Sequence, residues 1–207
     1  MATADPERRE LPLFPLQTVL FPGGLLPLRV FEARYLDLVG RCLRQQEPFG
    51  VVALTQGTDL RTSAQPIAFE DVGTLAELME VDSEQPGILS VRCRGTSRFE
   101  VLASRQQDDG LWLARTRPIA DDPPTALPQE LEPAAEALRQ TIRAIDEQGE
   151  QPFLLPHRLD DVAWVANRWC EALPLSVAAK QRLMALPDPL MRLRLVDEFL
   201  RQHKVIT

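Results

Sequence analysis

Leu11-Pro12-Leu13-Phe14-Pro15-Leu16, then Phe21-Pro22-Gly23-Gly24, then Leu25-Leu26-Pro27-Leu28-Arg29-Val30 and Phe31-Glu32-Ala33-Arg34-Tyr35 form the stretch whose reading decides the fold. Two short apolar runs flank a Pro-Gly-Gly turn, and a polar–apolar pattern of helical period follows at once. The runs predict strands over Leu11–Leu16 and Leu25–Val30. The pattern predicts a helix over Glu32–Gln45, with Tyr35, Leu36, Leu38, Val39, Cys42 and Leu43 as a broad apolar stripe. Glu32 reads as a first-turn acid that favours the helix dipole. Proline lacks a ladder donor, so Pro12, Pro15 and Pro27 predict an irregular sheet. Phe14, Phe21, Phe31 and, further on, Phe99 are large enough to fill a barrel interior.

Outward from that stretch the chain continues as strands. Phe49–Thr55 is a compact apolar run. Val72–Val81 is apolar on both faces and predicts a central strand. In Ile88–Arg94 the residues Leu89, Val91 and Cys93 alternate with Ser90, Arg92 and Arg94, the half-buried pattern. Gly95-Thr96-Ser97 reads as a break, after which Arg98–Ala103 resumes. Asp108-Asp109-Gly110 is a hairpin signal leading into Leu111–Arg117. Gly23, Gly24, Gly73 and Gly95 fall at turns or close approaches. Short strands at this spacing, with one inserted helix, predict a small mixed barrel.

Asp121-Asp122-Pro123-Pro124, with Pro128 just after, reads as a linker, because proline restricts itself and the residue before it. The expected domains are 1–120 and 126–207. Beyond the linker the apolar period becomes helical. Gln129–Gln148 carries the seam Leu131, Ala135, Leu138, Ile142 and Ile145, and Gly149 supplies the stop. Asp160–Leu173 carries Val162, Val165, Ala166, Trp169 and Leu173 on one face, with Trp164 off it. Ser176 is placed as an N-cap before Val177–Leu186. Asp188-Pro189 opens the last helix, Leu190–Gln202. Four helices with short connections predict a small antiparallel bundle. The fold class expected is therefore α+β.

The charge is spread evenly. Residues 1–120 hold 13 basic and 16 acidic groups, net −3, and residues 121–207 hold 10 and 14, net −4. A uniformly acidic surface repels a phosphate backbone, which argues against nucleic acid as a partner. Cys42, Cys93 and Cys170 are odd in number and far apart, so they read as small apolar side chains and not as a disulfide framework or a zinc knuckle. Met1–Glu10 shows no apolar signal-peptide core, and no apolar run approaches the ~20 residues of a membrane span. The expectation is a cytoplasmic protein without a membrane partner.

Three stretches resemble the N-terminal, substrate-binding domain of Lon proteases over about residues 11–118. They are the opening already quoted, then Phe69-Glu70-Asp71-Val72-Gly73-Thr74-Leu75-Ala76-Glu77-Leu78, then Leu89 to Val101 with its Gly95-Thr96-Ser97-Arg98-Phe99 core. The Phe31-Glu32-x-Arg34-Tyr35 form is most similar to standalone bacterial Lon-like proteins, which lack the ATPase and protease domains, and to Lon domains attached to RING-finger proteins. Cereblon carries a more distant version. Trp169 to Ser176, Lys180-Gln181, and Leu186 to Leu190 with Arg192-Leu193 resemble the helical tail of the standalone group. The resemblance implies a PUA-like pseudobarrel with an inserted helix, followed by helices. It implies a module that handles polypeptide substrates.

Chemistry is sparse. A phosphate-cradling loop needs Gly-x-x-x-x-Gly-Lys-Ser/Thr, and the only lysines, Lys180 and Lys204, do not follow a glycine. Ser176 and Lys180 stand at i and i+4 and imitate a Ser–Lys dyad, but Ser176 is wanted as a cap and lacks the small-residue setting of the family's catalytic serine. His157 and His203 have no second ligand at metal spacing. Asp160-Asp161 and Glu47 read as solvated carboxylates. The reading is a non-enzymatic polypeptide-binding or adaptor module, with no cofactor and no metal, whose groove is expected at the barrel–bundle boundary. The alternative is a PUA-like RNA or anion binder using Arg92, Arg94, Arg98, Arg115 and Arg117. Against it, these arginines sit on strands where Glu77, Glu80 and Glu100 offer partners.

Overall fold

The computed structural model describes residues 10–56 and 67–206. The rest of the expected signal-free N-terminus, residues 1–9, lies outside them. The described residues fall into two compact units. One is Leu26–Ala120 with the chain up to Pro22, and the other is Asp121 onward with Gly23–Leu25. The fold is α+β, and the described residues form seven strands, five α-helices and one short 3-10 turn. Among the described residues no helix is long and apolar enough to cross a membrane.

The first unit is built on β1 (Leu11–Leu16), β2 (Leu25–Val30), α1 (Ala33–Gln45), β3 (Phe49–Gln56), β4 (Ala68–Phe69), β5 (Val72–Gln85), β6 (Ile88–Gln106) and β7 (Trp112–Pro118). The sheet runs β1-β7-β6-β5-β3, and β3 returns to pair with β1 in parallel, so the five strands close on themselves. The remaining pairings of the ring are antiparallel. This is the mixed barrel expected, with β2 added on β6 and the short β4 on β3. β1 tolerates its prolines because its two halves use different neighbours. Pro12 lies in the half registered with β7, and Pro15 in the half registered with β3.

Alternation along the strands sends apolar residues to both faces. Phe14 and Val51 join a large cluster with α1, to which the helix adds Tyr35, Leu38, Val39 and Cys42. Leu13 and Val52 join a smaller cluster around Phe99. Gly73 lies against that second cluster with no room for a side chain. A Cβ there would stand 2.5 Å from the tip of the Phe99 ring and 2.5 Å from the Val51 carbonyl oxygen.

Four expectations need correction here. Gly95 does not break the strand, because β6 runs unbroken for 19 residues. Glycine is required there because a Cβ would meet the Phe21 carbonyl oxygen at 2.3 Å, so the residue allows a close crossing and not a turn. Leu43 is not on the apolar stripe of α1 but 58% exposed. Glu32 stands before the helix, where its carbonyl oxygen accepts from the Tyr35 and Leu36 amides at 2.9 Å. Phe31, placed in the interior with the other phenylalanines, is 57% exposed, whereas Phe14, Phe21 and Phe99 are buried.

The second unit contains a 3-10 turn (Gln129–Leu131), α2 (Glu132–Asp146), α3 (Val162–Ala172), α4 (Val177–Ala185) and α5 (Pro189–Gln202). The caps read from sequence are made. Ser176 Oγ accepts from the Ala179 amide, and Asp188 Oδ1 from the Leu190 and Met191 amides. Leu131, Ala135, Leu138 and Ile142 are buried as the seam required. Trp169 is buried and donates from Nε1 to the Ala134 carbonyl oxygen at 2.9 Å, tying α3 to α2.

The unit is centred on Arg192, only 1% exposed. Its guanidinium donates to Asp122 Oδ2 at 2.7 Å, Asn167 Oδ1 at 2.9 Å, and the carbonyl oxygens of Leu183 and Leu186 at 2.8 and 2.6 Å. One side chain thereby fastens α5 to α3, to the end of α4 and to the segment after the barrel. The sequence predicts a linker for that segment. Its backbone is in fact held from Thr125 to Leu127 by hydrogen bonds to Val162 and Asp160 and by a bridge between Ala126 and Asp161.

Candidate functional site

The Phe31-Glu32-x-Arg34-Tyr35 segment is organised by a buried cation. Arg34 is 4% exposed. It donates to the Gly110 carbonyl oxygen at 2.6 Å, pairs with Glu32 Oε2 at 3.0 Å, and lies 4.7 Å over the Tyr35 ring. Tyr35 in turn stacks on Phe14, with ring centroids 3.8 Å apart and planes 6° from parallel. Phe49 closes on Phe14 at 6.1 Å. The start of α1 is therefore locked to the β6–β7 hairpin and to β1 by a charged fork and a ring stack.

Phe31 is left outside this lock. It forms the lip of an apolar groove of about 310 Å³ in the barrel unit. Phe14 and Tyr35 make its floor, and Leu16, Leu28 and Leu54 its walls. Arg29 and Glu32 bring one charge of each sign to the lining. None of its described lining residues is a histidine, cysteine or serine. Such a lining is suited to contact with apolar side chains. The exposed Phe31 was legible in the period of β2. Leu26 and Val30 are buried and Leu28 half-buried, so period-two alternation sends the next odd residue to the opposite side.

A second, wider cleft of about 1030 Å³ lies within the helical unit, beside Thr125–Leu127 and the start of α2. Its lining mixes polar and apolar residues, and its arginines are already matched. Arg158 pairs with Asp161 at 2.7 Å, and Arg139 pairs with Glu136.

The residues weighed for chemistry are accounted for by structure. Ser176 caps α4, and Lys180 Nζ donates to the Glu171 carbonyl oxygen at 2.8 Å, so each side chain has a partner other than the other. Asp161 caps α3, accepting from the Trp164 amide at 2.8 Å. His157 rests against Trp164 with centroids 5.5 Å apart, and His203 stacks on Phe199. Among the described residues no group of acidic, histidine and cysteine side chains is placed to hold a metal ion. The three cysteines are free and buried. Burial pushes the Cys93 and Cys170 thiols up to about 12, so they stay protonated.

Sequence reasoning missed the Arg168–Glu171 pair on α3. Arg168, fully buried, lies 2.9 Å from Glu171 Oε2 and donates to the Gly23 carbonyl oxygen. Burial pushes the Glu171 carboxyl up to about 7 against the pull of Arg168 and Lys180, and lowers the Arg168 guanidinium. The positive φ of Gly23, +73°, belongs to the turn that presents this carbonyl.

The five arginines of the alternative reading separate. Arg92 pairs with Glu80 at 2.9 Å, Arg94 with Glu77 at 2.7 Å, and Arg117 with Glu100. The register sets these residues opposite one another across β5–β6 and β6–β7. Arg115 is exposed opposite Ala103. Arg98 is not on a surface ladder with them but buried, at 3% exposure. A register shift between Thr74 and Ala76 opposite Arg98 and Gly95 puts it out of phase with Arg92 and Arg94.

Comparison with known proteins points the same way as the barrel. The profile of the ATP-dependent protease La (LON) substrate-binding domain matches residues 10–202. The Lon protease of Parabacteroides distasonis is 27% identical over 187 residues, which is 86% of this chain and 22% of that protein. Cereblon of Xenopus tropicalis is 31% identical over 117 residues, or 55% of this chain. The chain thus spans about a quarter of the length of these relatives. The crystal structure of a Lon N-terminal domain protein from Xanthomonas campestris superposes with a TM-score of 0.74 at 34% identity, over 91% of this chain and 96% of that one. The N-terminal domain of the Mycobacterium avium complex Lon protease has the same fold, with a TM-score of 0.62 at 17% identity.

Proposed function

Because the chain belongs to the family of Lon (ATP-dependent protease La) substrate-binding domains, we propose that it is a non-enzymatic module that binds polypeptides. The observation that carries this reading is the apolar groove beneath the exposed Phe31, whose floor is held rigid by the Arg34 lock. The groove offers an extended or unfolded segment apolar walls and an aromatic lip, a residue type enriched in protein interfaces. A rigid floor lowers the ordering cost of binding. The absence of a phosphate loop from the 207 residues, and the use of Ser176 as a cap, support a role in holding substrate and not in cutting it.

The test is a titration of the protein with a fluorescently labelled, reduced and carboxymethylated unfolded polypeptide, followed by anisotropy at low and high salt. We expect saturable binding that persists at high salt, because apolar contact is not screened. Phe31→Ala should weaken it by about tenfold or more, as loss of an aromatic anchor costs ~1.5–3 kcal/mol. The melting temperature should be nearly unchanged, since the ring is outside the core. Binding that Phe31→Ala and Leu28→Asp leave intact would place the polypeptide site elsewhere.

A further inference from the structure

We propose that the outward face of α5 is a self-association surface, and that its partner is a second copy of this chain in an antiparallel, two-fold arrangement. The proposal does not depend on the groove.

The buried side of α5 is occupied by Arg192, Leu193, Val196 and Leu200. A second apolar stripe runs along the other side. Met191 is 46% and Leu195 42% exposed, and one turn further on Phe199 is half-buried with the His203 ring stacked on it. At about 100° per residue, positions four apart fall within about 40° of each other, so the three side chains form one continuous line. A helix with apolar residues on two faces has one face too many for its own unit.

The charges beside the stripe say what covers it. Arg194 and Glu198 lie one turn apart along the same edge. In an antiparallel pair with its two-fold axis level with Val196, Arg194 of one copy stands level with the partner's Glu198. Symmetry then repeats the contact with the roles exchanged. The Leu195 side chains of both copies meet beside the axis, and Met191 and Phe199 extend the apolar contact on either side. The surface is thus complementary to itself in shape period and in charge, as an isologous contact requires. Each charge has a partner on its own chain, in exposed contacts that a second copy can replace. Arg194 is 3.9 Å from Glu130, with both side chains more than half exposed, and Glu198 only accepts a hydrogen bond from Gln202 at 3.2 Å.

Sedimentation velocity over micromolar to near-millimolar protein tests this. The parent chain should show a concentration-dependent shift from one to two copies. Arg194→Glu alone, or Glu198→Arg alone, sets like charges opposite each other twice, and should weaken the dimer by about tenfold. The double exchange Arg194→Glu with Glu198→Arg restores both contacts and should return the dissociation constant to within about threefold of the parent. Leu195→Glu should leave a single copy throughout. These positions are exposed, so thermal melting should report intact folds for all four variants. A parent that stays monomeric at every concentration overturns the proposal. So does a dimer that Leu195→Glu and both single charge changes leave unaltered, and so does a failure of the double exchange to restore what the single changes remove.

Discussion

Arg192 shows how much of the helical unit depends on one side chain. A guanidinium out of water is stable only if its donors are matched, and here four partners match them. Removing the cation strands its partners. The Asp122 side chain is 8% exposed and would lose its guanidinium partner in a setting with little water. Arg192→Ala should therefore lower unfolding stability by about 3–5 kcal/mol, the usual penalty for breaking a buried ion pair from one side. Arg192→Lys should recover little, because an ammonium cannot reproduce a planar fork that spans three segments. Urea denaturation of the two variants checks this. A loss below about 1 kcal/mol for Arg192→Ala would mean that water or a shifted Asp122 replaces the network. The sequence announced none of this. Arg192 sits on an apolar helical period only through Leu193 and Val196, and pattern reading treats arginine as surface. Arg34 and Arg168 were hidden for the same reason, although each is the residue on which its neighbourhood turns.

Among the elements, strands and helices were legible where period and punctuation agreed. β1 and β2 have their expected bounds, and Ser176 and Asp188 cap α4 and α5 as their chemistry demands. Reading failed where a residue served a distant neighbour. Glycine in β6 looks like a break from inside the strand and like a crossing from Phe21. The two-residue β4 exists only by pairing with β3, and no local pattern could show it. The groove was legible only in part: its walls read as strand residues, but its lip depended on noticing that alternation turns Phe31 outward. Gly95 allows the sharpest test at this scale. Its Cβ would fall 2.3 Å from a backbone oxygen and 3.0 Å from Leu20, and backbone cannot yield as a flexible side chain does. Gly95→Ala should destabilise the barrel by about 1–3 kcal/mol, the range for overpacking. Gly87→Ala is a poor control, since its φ of +83° strains any L side chain. A better control is Ser104→Ala, at an exposed position further along β6. If Gly95→Ala melts with the parent in thermal denaturation, the crossing is looser than its geometry states.

The whole molecule carries a net charge of −7, and this bears on whether its arginines bind anything. A phosphate backbone approaches a surface through long-range attraction first and local contacts second. Here the first is repulsive on average, and the second is largely used up, because Arg92, Arg94 and Arg117 each face a glutamate. An RNA would have to displace those carboxylates and leave them beside its own phosphates. The double variant Arg92→Ala with Arg94→Ala separates the outcomes. We expect no measurable RNA affinity for the parent at physiological salt, and polypeptide binding equal to the parent's in the variant. Stability should change little, since exposed ion pairs contribute about 0–1 kcal/mol each. The variant also removes two positive charges and leaves Glu77 and Glu80 unpaired, so it makes the surface still more acidic. Any residual attraction to RNA should fall further and not rise. An RNA complex of micromolar affinity or tighter in the parent, with a steep salt slope that flattens in the variant, would mean that the ladder opens for phosphate and that net charge is the wrong guide to this surface.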